Sequence, residues 1–251
     1  MINLKSFFDE HPVTAIAFSG GVDSAYLLYE ALRYARSVRA YYVKSAFQPD
    51  FETEDARRLA RELGADMKII QVDILTDRSV CDNPANRCYF CKKKIFGEIL
   101  KAAADDGFHT ICDGTNASDQ VLDRPGMKAL EEMQVFSPLR LAGLTKEEIR
   151  RLSKEEGLFT WNKPAYACLA TRIRTGEEIT AEKLAATEEA EKLLFSLGFS
   201  DFRVRRRGDA AVIQVCGKDL DKVLINRTLI LDSLKENYDS AMLDLETRDE
   251  Q

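Results

Sequence analysis

Several groups of residues in this chain have types and spacings that suit chemistry. The first is Ser19-Gly20-Gly21-Val22-Asp23-Ser24. Its two glycines allow a tight turn and a close approach of backbone to ligand. Backbone amides at a helix start, together with the Ser19 and Ser24 hydroxyls, can cradle an oxyanion. Asp23 needs a Mg²⁺ ion or a departing pyrophosphate to justify a carboxylate beside phosphates. The segment is not Walker A, since no Gly-Lys-Ser/Thr follows, and it is not the dinucleotide G-x-G-x-x-G. An ordinary strand-to-helix turn is the competing reading.

The second group is sulfur. Cys88 and Cys91 form a CxxC in Asn86-Arg87-Cys88-Tyr89-Phe90-Cys91-Lys92, and Cys168 lies in Lys163-Pro-Ala-Tyr-Ala-Cys168-Leu-Ala-Thr-Arg172. A CxxC at a helix start can hold a metal or a cluster, or cycle as a dithiol. The cations Arg87, Lys92, Lys93 and Lys94 suit thiolates. No thioredoxin-like context surrounds the pair. A zinc site would need a fourth ligand. His11 and His109 are poorly placed in sequence for that, and Cys81 is the nearer candidate. Taken alone, Cys168 reads equally well as a small buried hydrophobe.

Two further sets carry charge. Arg203, Arg205 and Arg207 alternate, so on a strand they share one face. They are either a solubilising edge or a site for phosphate or carboxylate. Asp113, Asn116 and Asp119 follow a strand candidate, at the carboxyl edge where parallel sheets bind ligands. An Asx turn with a helix cap explains the same residues. Cys112 and Cys216 sit in apolar strands and read as structural, and Trp161 reads as core.

The elements that must position these residues alternate. Strands are expected at 13–19, 37–45, 68–74, 109–115 and 135–139. Helices are expected at 23–34, 52–64, 92–106 and 146–157, the last opened by a Thr145–Glu148 capping box. Such alternation predicts an α/β parallel sheet with helices on both faces. From about 176 the rhythm changes to a helix at 180–197, two strands within 202–215 around Gly208-Asp209, a helix at 218–237 and a last strand at 241–246. The expected division is therefore a nucleotide-binding domain, 1–175, and a small α+β domain, 176–251.

The 251 residues are 45% hydrophobic and 31% charged, enough for one large domain or two unequal ones. No apolar run reaches membrane-span length, and the N-terminus lacks a secretory pattern. The expectation is a cytoplasmic chain without a membrane partner. Six cysteines in such a chain suggest metal or catalytic use rather than disulfides. Residues 176–251 carry 11 Lys and Arg against 17 Asp and Glu, which accounts for the whole net charge of −6. That balance argues against a nucleic-acid coat, which is usually basic on one face.

The SGGVDS loop after the first strand resembles the pyrophosphate loop of the PP-loop ATP pyrophosphatases. The resemblance implies that Ser19, Gly20, Gly21, Asp23 and Ser24 bind the phosphates of ATP–Mg²⁺. It places Val43 to Ser45 near the adenosine, with Asp113 in the same site. CYFCK, DGTNASD (113–119), DRPG (123–126), SPL (137–139) and PAYACLATR (164–172) narrow the likeness to the LarE family. These are the ATP-dependent sulfur transferases that mature a nickel-pincer nucleotide cofactor. The match runs from about Phe18 to Val215.

This resemblance implies adenylation of the carboxylates of pyridinium-3,5-biscarboxylic acid mononucleotide and their conversion to thiocarboxylates. The family's sulfur-bearing cysteine falls on Cys168. In one branch it is sacrificed to dehydroalanine. In another, a CxxC pair joins it to hold a 4Fe–4S cluster, and Cys88, Cys91 and Cys168 match that branch. Arg203 and Arg205 match arginines at the substrate phosphate, Arg172 stands close behind Cys168, and Glu191 matches an acid near the active site. Arg207 stands where the family often has histidine. A sulfur donor system and a homo-oligomer are implied as well. The competing functions are a PP-loop tRNA thiolase with a 4Fe–4S cluster and a non-catalytic nucleotide-binding protein. A glutamine-fed amidotransferase is disfavoured, as no glutaminase domain is evident.

Overall fold

A computed structural model describes residues 3–119 and 125–248. The chain divides into two compact units. The first holds residues up to 74 together with 86–166, and the second holds 75–85 together with 167 onward. The division thus falls at Ala167 rather than near 176, and a short earlier segment belongs with the second unit.

The first unit contains α1 (Leu4–Glu10), β1 (Val13–Ala17), α2 (Val22–Tyr34), β2 (Ser37–Lys44), α3 (Asp50–Glu62), β3 (Met67–Gln71), α4 (Arg87–Asp105), β4 (Thr110–Cys112), α5 (Pro125–Glu132) and α6 (Lys146–Glu155). The four strands are parallel in the order β3-β2-β1-β4. Alternation along the strands explains the two covered faces. Ile16, Ala40 and Tyr42 pack with α1, α2, α3 and Ile149 of α6. Their neighbours Ala15, Tyr41 and Val43 pack with Phe96, Ile99 and Ala103 of α4 and Leu130 of α5. A sheet buried on both faces needs this double apolar register. The capping box of α6 is formed as the sequence predicts, with Thr145 and Glu148 bonding reciprocally.

The expected fifth strand at 135–139 shrinks to a single bridge between Phe136 and Cys112. Phe136 exchanges backbone bonds with Ile111 and Asp113. Pro138 then opens one helical turn, Pro138–Leu141. Lacking an N–H, proline ends the ladder and suits a helix start.

The second unit contains α7 (Ala181–Ser196), β5 (Phe202–Arg207), β6 (Ala210–Val215), α8 (Leu220–Ile225), α9 (Arg227–Leu234) and β7 (Ser240–Leu243). β5 and β6 form an antiparallel hairpin around Gly208-Asp209, and β7 lies parallel to β6. Ala190, Leu194, Phe202, Val204, Ile213 and Ile230 are among its core residues. The single helix expected at 218–237 is broken at Asn226. The Asn226 amide donates to the Lys222 carbonyl, 2.8 Å away, and competes with the helical ladder. Segment 75–85 is held by Asn83, which is fully buried at φ +53°. Its side-chain amide donates to the carbonyls of Arg174 and Glu177, 2.8 and 3.1 Å away. Among the described residues, no helix is long and apolar enough to cross a membrane.

Candidate active site

The Ser19–Ser24 loop joins β1 to α2 in the first unit. Gly20 takes φ +72°, and a Cβ there would meet Ala56 of α3 at 3.2 Å. Both conformation and space therefore require glycine. Gly21 precedes the first turn of α2. The Ser24 hydroxyl accepts from Ser19 N at 3.2 Å and donates to the Gly21 carbonyl at 3.2 Å, closing the loop on itself. Amides at a helix N-terminus favour a bound anion.

The loop after β4 crosses the same helix start. A Cβ on Gly114 would stand 2.8 Å from Ser24 N. This approach forms a cavity of about 260 Å³, lined by Ser19, Gly21, Asp23, Ser24, Lys92, Asp113, Thr115 and Asp119 among others. Asp113 is fixed by donors from Thr115 and from Ser137 Oγ at 2.6 Å. Asn116 Oδ1 accepts from Ser118 N at 2.8 Å, which closes the Asx turn, and Asp119 Oδ2 accepts from Asn116 N at 3.0 Å. Asp119 lines the cavity too.

Asp23 Oδ2 pairs with Lys146 Nζ of α6 at 2.5 Å. Its other oxygen, Oδ1, is buried without a hydrogen-bond partner. Burial pushes the Asp23 carboxyl up, against the pull of Lys146. A buried carboxylate oxygen without a donor fits a hard cation, for which oxygen is the preferred ligand. Lys92, on α4, is pushed down by burial, opposed by Asp113, Asp119, Cys88 and Cys91. It therefore links the phosphate loop's cavity to the CxxC. Gly126 packs on its stem, where a Cβ would meet Lys92 Cδ at 3.1 Å. Lys163 Nζ reaches the Gly20 carbonyl at 3.4 Å and Asp55 of α3 at 2.7 Å, tying the loop from behind.

Lys146 and Lys163 lie more than a hundred residues beyond the loop they serve, and no local pattern marks them. Val43 sits in the core at the end of β2. Ser45 is buried, and its N–H and hydroxyl both donate to Gln48 Oε1.

The sequence places the helix start at Lys92, whereas α4 begins at Arg87. Cys88 and Cys91 therefore stand one helical turn apart at its N-terminus, exposed and half-buried respectively. An i,i+3 spacing puts both thiols on one helix face. Cys168 belongs to the second unit and precedes a 3₁₀ turn, Leu169–Arg172. Arg172 holds that turn: its Nη1 donates to the Ala167 carbonyl at 2.8 Å and to Thr171 Oγ1 at 2.8 Å. Glu191 of α7 receives Arg172 Nε at 2.8 Å and the β5 amide of Val204 at 3.0 Å. Arg203 and Arg205 lie along β5, buried and half-buried, and Arg207 is exposed. Arg203 is pushed down to about 10 by burial and by Arg172 and Arg248.

The remaining thiols are occupied structurally. Cys81 donates to the Leu75 carbonyl and Cys216 to that of Asp201. Burial pushes the Cys112 thiol strongly up. Among the described residues, no three His, Cys, Asp or Glu side chains form a group that could hold a metal ion.

A parallel sheet with a glycine-serine phosphate loop at its first strand defines the PP-loop class. A model for a family of unknown function, DUF7411, matches residues 13–165. The pyridinium-3,5-bisthiocarboxylic acid mononucleotide synthase of Lactiplantibacillus plantarum is 36% identical over 80% of this chain and 73% of its own length. An uncharacterized protein of Synechocystis is 37% identical over 85% of this chain and 80% of its own. The tRNA-specific 2-thiouridylase MnmA of a Thermotoga species is 27% identical over 59% of this chain and 53% of its own. The chain belongs to the LarE-like family of PP-loop ATP-dependent sulfurtransferases.

Proposed function

We propose that this enzyme adenylates the carboxylates of pyridinium-3,5-biscarboxylic acid mononucleotide and converts them to thiocarboxylates for a nickel-pincer cofactor. The observation that carries the reading is the cavity at Ser19–Ser24, where the unpartnered Oδ1 of Asp23 stands with Lys92 and Asp113. The α2 amides and the two serines would hold the ATP phosphates. Asp23, through its unpartnered Oδ1, would hold Mg²⁺ together with phosphate oxygens of ATP, and the ion would supply neutralisation of phosphate charge. Lys92 adds a desolvated cation where negative charge develops on the leaving pyrophosphate.

A substrate carboxylate oxygen attacks the α-phosphorus. The bond from that phosphorus to the bridging oxygen breaks, and pyrophosphate leaves. A sulfur nucleophile then attacks the acyl carbon and AMP leaves, giving the thiocarboxylate. Cys88, Cys91 and Cys168 are the proposed sulfur-handling residues, and their three soft thiolates suit iron by donor type. A 4Fe–4S cluster on them would leave one iron without a protein ligand, able to carry an extra sulfide. The second reading makes Cys168 itself the source of the sulfur. In that reading the Cys168 thiolate attacks the acyl carbon and AMP leaves, giving a thioester; removal of the Cα proton then breaks the Cβ–S bond, releasing the thiocarboxylate and leaving dehydroalanine. Arg203 and Arg205 are assigned to the substrate phosphate, with Arg172 and Glu191 setting the backbone of Cys168.

The second unit exposes Leu224, Ile225, Leu229, Met242 and Leu245, which supports self-association. Iron and sulfide content after anaerobic purification, with the mass of Cys168 before and after turnover, tests how sulfur is carried. Iron with an unchanged Cys168 mass supports the cluster. An iron-free protein whose Cys168 loses sulfur supports sacrifice. A Cys168→Ala variant that still turns over contradicts both.

A further inference from the structure

Lys146 opens α6 and touches two loops at once. Its ammonium pairs with Asp23 Oδ2 at 2.5 Å. Its backbone N–H donates to Ser118 Oγ at 2.9 Å. Ser118 donates its own N–H to Asn116 Oδ1 at 2.8 Å, and Ala117 N donates to the Leu144 carbonyl at 2.8 Å. One residue therefore joins the loop after β1 to the loop after β4, the two walls of the phosphate cavity. Thr145 fixes its place by capping α6 just before it.

Lys146 itself does not line that cavity, whereas Asp23 does. Its effect on the reaction must therefore pass through Asp23. A carboxylate has two equivalent oxygens, and rotation exchanges them. The ion pair removes the equivalence: Oδ2 is held, and Oδ1 is the buried oxygen without a donor. Arg150, one turn along α6, also acts on Asp23 through its field. Its guanidinium donates instead to the carbonyls of Trp161 and Lys163, at 2.7 and 2.9 Å. Lys146 is the cation that bonds Asp23 directly. Mg²⁺ is commonly bound by one or two carboxylates plus substrate phosphates, so the aim of a single oxygen matters. Groups that hydrogen-bond a metal-binding carboxylate orient it, and their loss typically costs about 10–100-fold in metal affinity.

We propose that Lys146 is a positioning residue for adenylation: it holds Asp23 by one oxygen so that the other is presented to the metal of ATP–Mg²⁺. This rests on the reading of Asp23 as the metal-holding carboxylate. It gives a role to a residue that no sequence motif marks.

The test titrates Mg²⁺ into the full chain with α,β-methylene-ATP, an analogue that cannot release pyrophosphate, and follows binding by calorimetry. Wild type, Lys146→Met, Lys146→Arg, Asp23→Asn and the Asp23→Asn/Lys146→Met double variant are compared, each with its melting temperature. Every substitution at position 146 keeps the backbone bond to Ser118, and the Lys146 side chain is 34% exposed, so the fold should persist. Lys146→Met is expected to weaken Mg²⁺ binding about tenfold or more. Lys146→Arg should recover part of the loss, and the double variant should bind no worse than Asp23→Asn. In turnover, the Mg²⁺ concentration for half-maximal pyrophosphate formation should rise in Lys146→Met by a larger factor than the limiting rate falls. Unchanged or tighter Mg²⁺ binding in Lys146→Met, whatever its melting temperature, would overturn the proposal, as would a further loss in the double variant. If Asp23→Asn itself leaves Mg²⁺ binding intact, the metal assignment of Asp23 fails instead.

Discussion

Gly114 and Ser24 are ninety positions apart, yet a methyl on the first would stand 2.8 Å from the backbone nitrogen of the second. The β4 loop thus lies directly on the start of α2. Asp113 and Thr115 reach the phosphate loop's cavity because nothing larger than hydrogen occupies position 114.

Gly114→Ala is therefore expected to separate the two loops. The overpacking cost is about 1–3 kcal/mol, read as a lower unfolding midpoint. The KM for ATP should rise at least tenfold. A variant with unchanged melting and unchanged KM would show that the loops are not in contact.

Asp23 carries a pH consequence. Burial raises its folded-state pKa above the unfolded value. The charged form is thus disfavoured in the fold, and stability falls as pH rises from the unfolded pKa through the folded one. Above that window the cost is complete. Asp23→Asn should therefore melt higher than wild type at pH 7 without ATP, and should lose pyrophosphate release. Both variants should melt alike below pH 3. A lower melting point for the variant at pH 7 would mean that its Lys146 pair outweighs desolvation.

Lys92 follows the same logic with opposite charge. Its pKa is held down by burial, so the ligand-free fold disfavours the charged ammonium. Lys92→Met should raise the melting temperature of the ligand-free enzyme while weakening ATP binding about tenfold or more. Loss of stability with normal ATP affinity would reverse that assignment.

Arg172 and Glu191 form a buried pair whose side chains are 1% and 2% exposed. Removing one partner leaves an uncompensated charge and costs about 3–5 kcal/mol. Glu191→Gln keeps the shape and can still accept from the Val204 amide. It should stay folded, with a lower melting point and slower sulfur transfer, while pyrophosphate release persists. Equal loss of both half-reactions would argue against a role confined to Cys168.

Much of the first unit was legible because its signals are local. The apolar strands, the SGGVDS turn and the Thr145–Glu148 box each declare themselves within a few residues. The Cys88–Cys91 pair was legible as chemistry, although its helix starts earlier than the periodicity from Lys92 suggests. Lys146 and Lys163 were not legible, because their roles arise from α6 and the segment after it returning to a loop far upstream. Phe136 was misleading: an apolar β-type run promised a strand, and Pro138 stops the pairing after one bridge. Asn83 shows a similar limit, since a polar loop residue turned out to be a buried clasp for residues 174–177.

The proposed reaction cleaves ATP at the Ser19–Ser24 loop, with a pyridinium carboxylate as the acceptor. The most direct measurement is pyrophosphate and AMP formation from ATP with and without pyridinium-3,5-biscarboxylic acid mononucleotide. Wild type and Asp23→Asn are compared, and unmodified tRNA serves as the competing acceptor. The predicted result is equal yields of pyrophosphate and AMP that depend on the mononucleotide, ignore tRNA and vanish in Asp23→Asn. Release of ADP and phosphate, or pyrophosphate release triggered by tRNA alone, would contradict it.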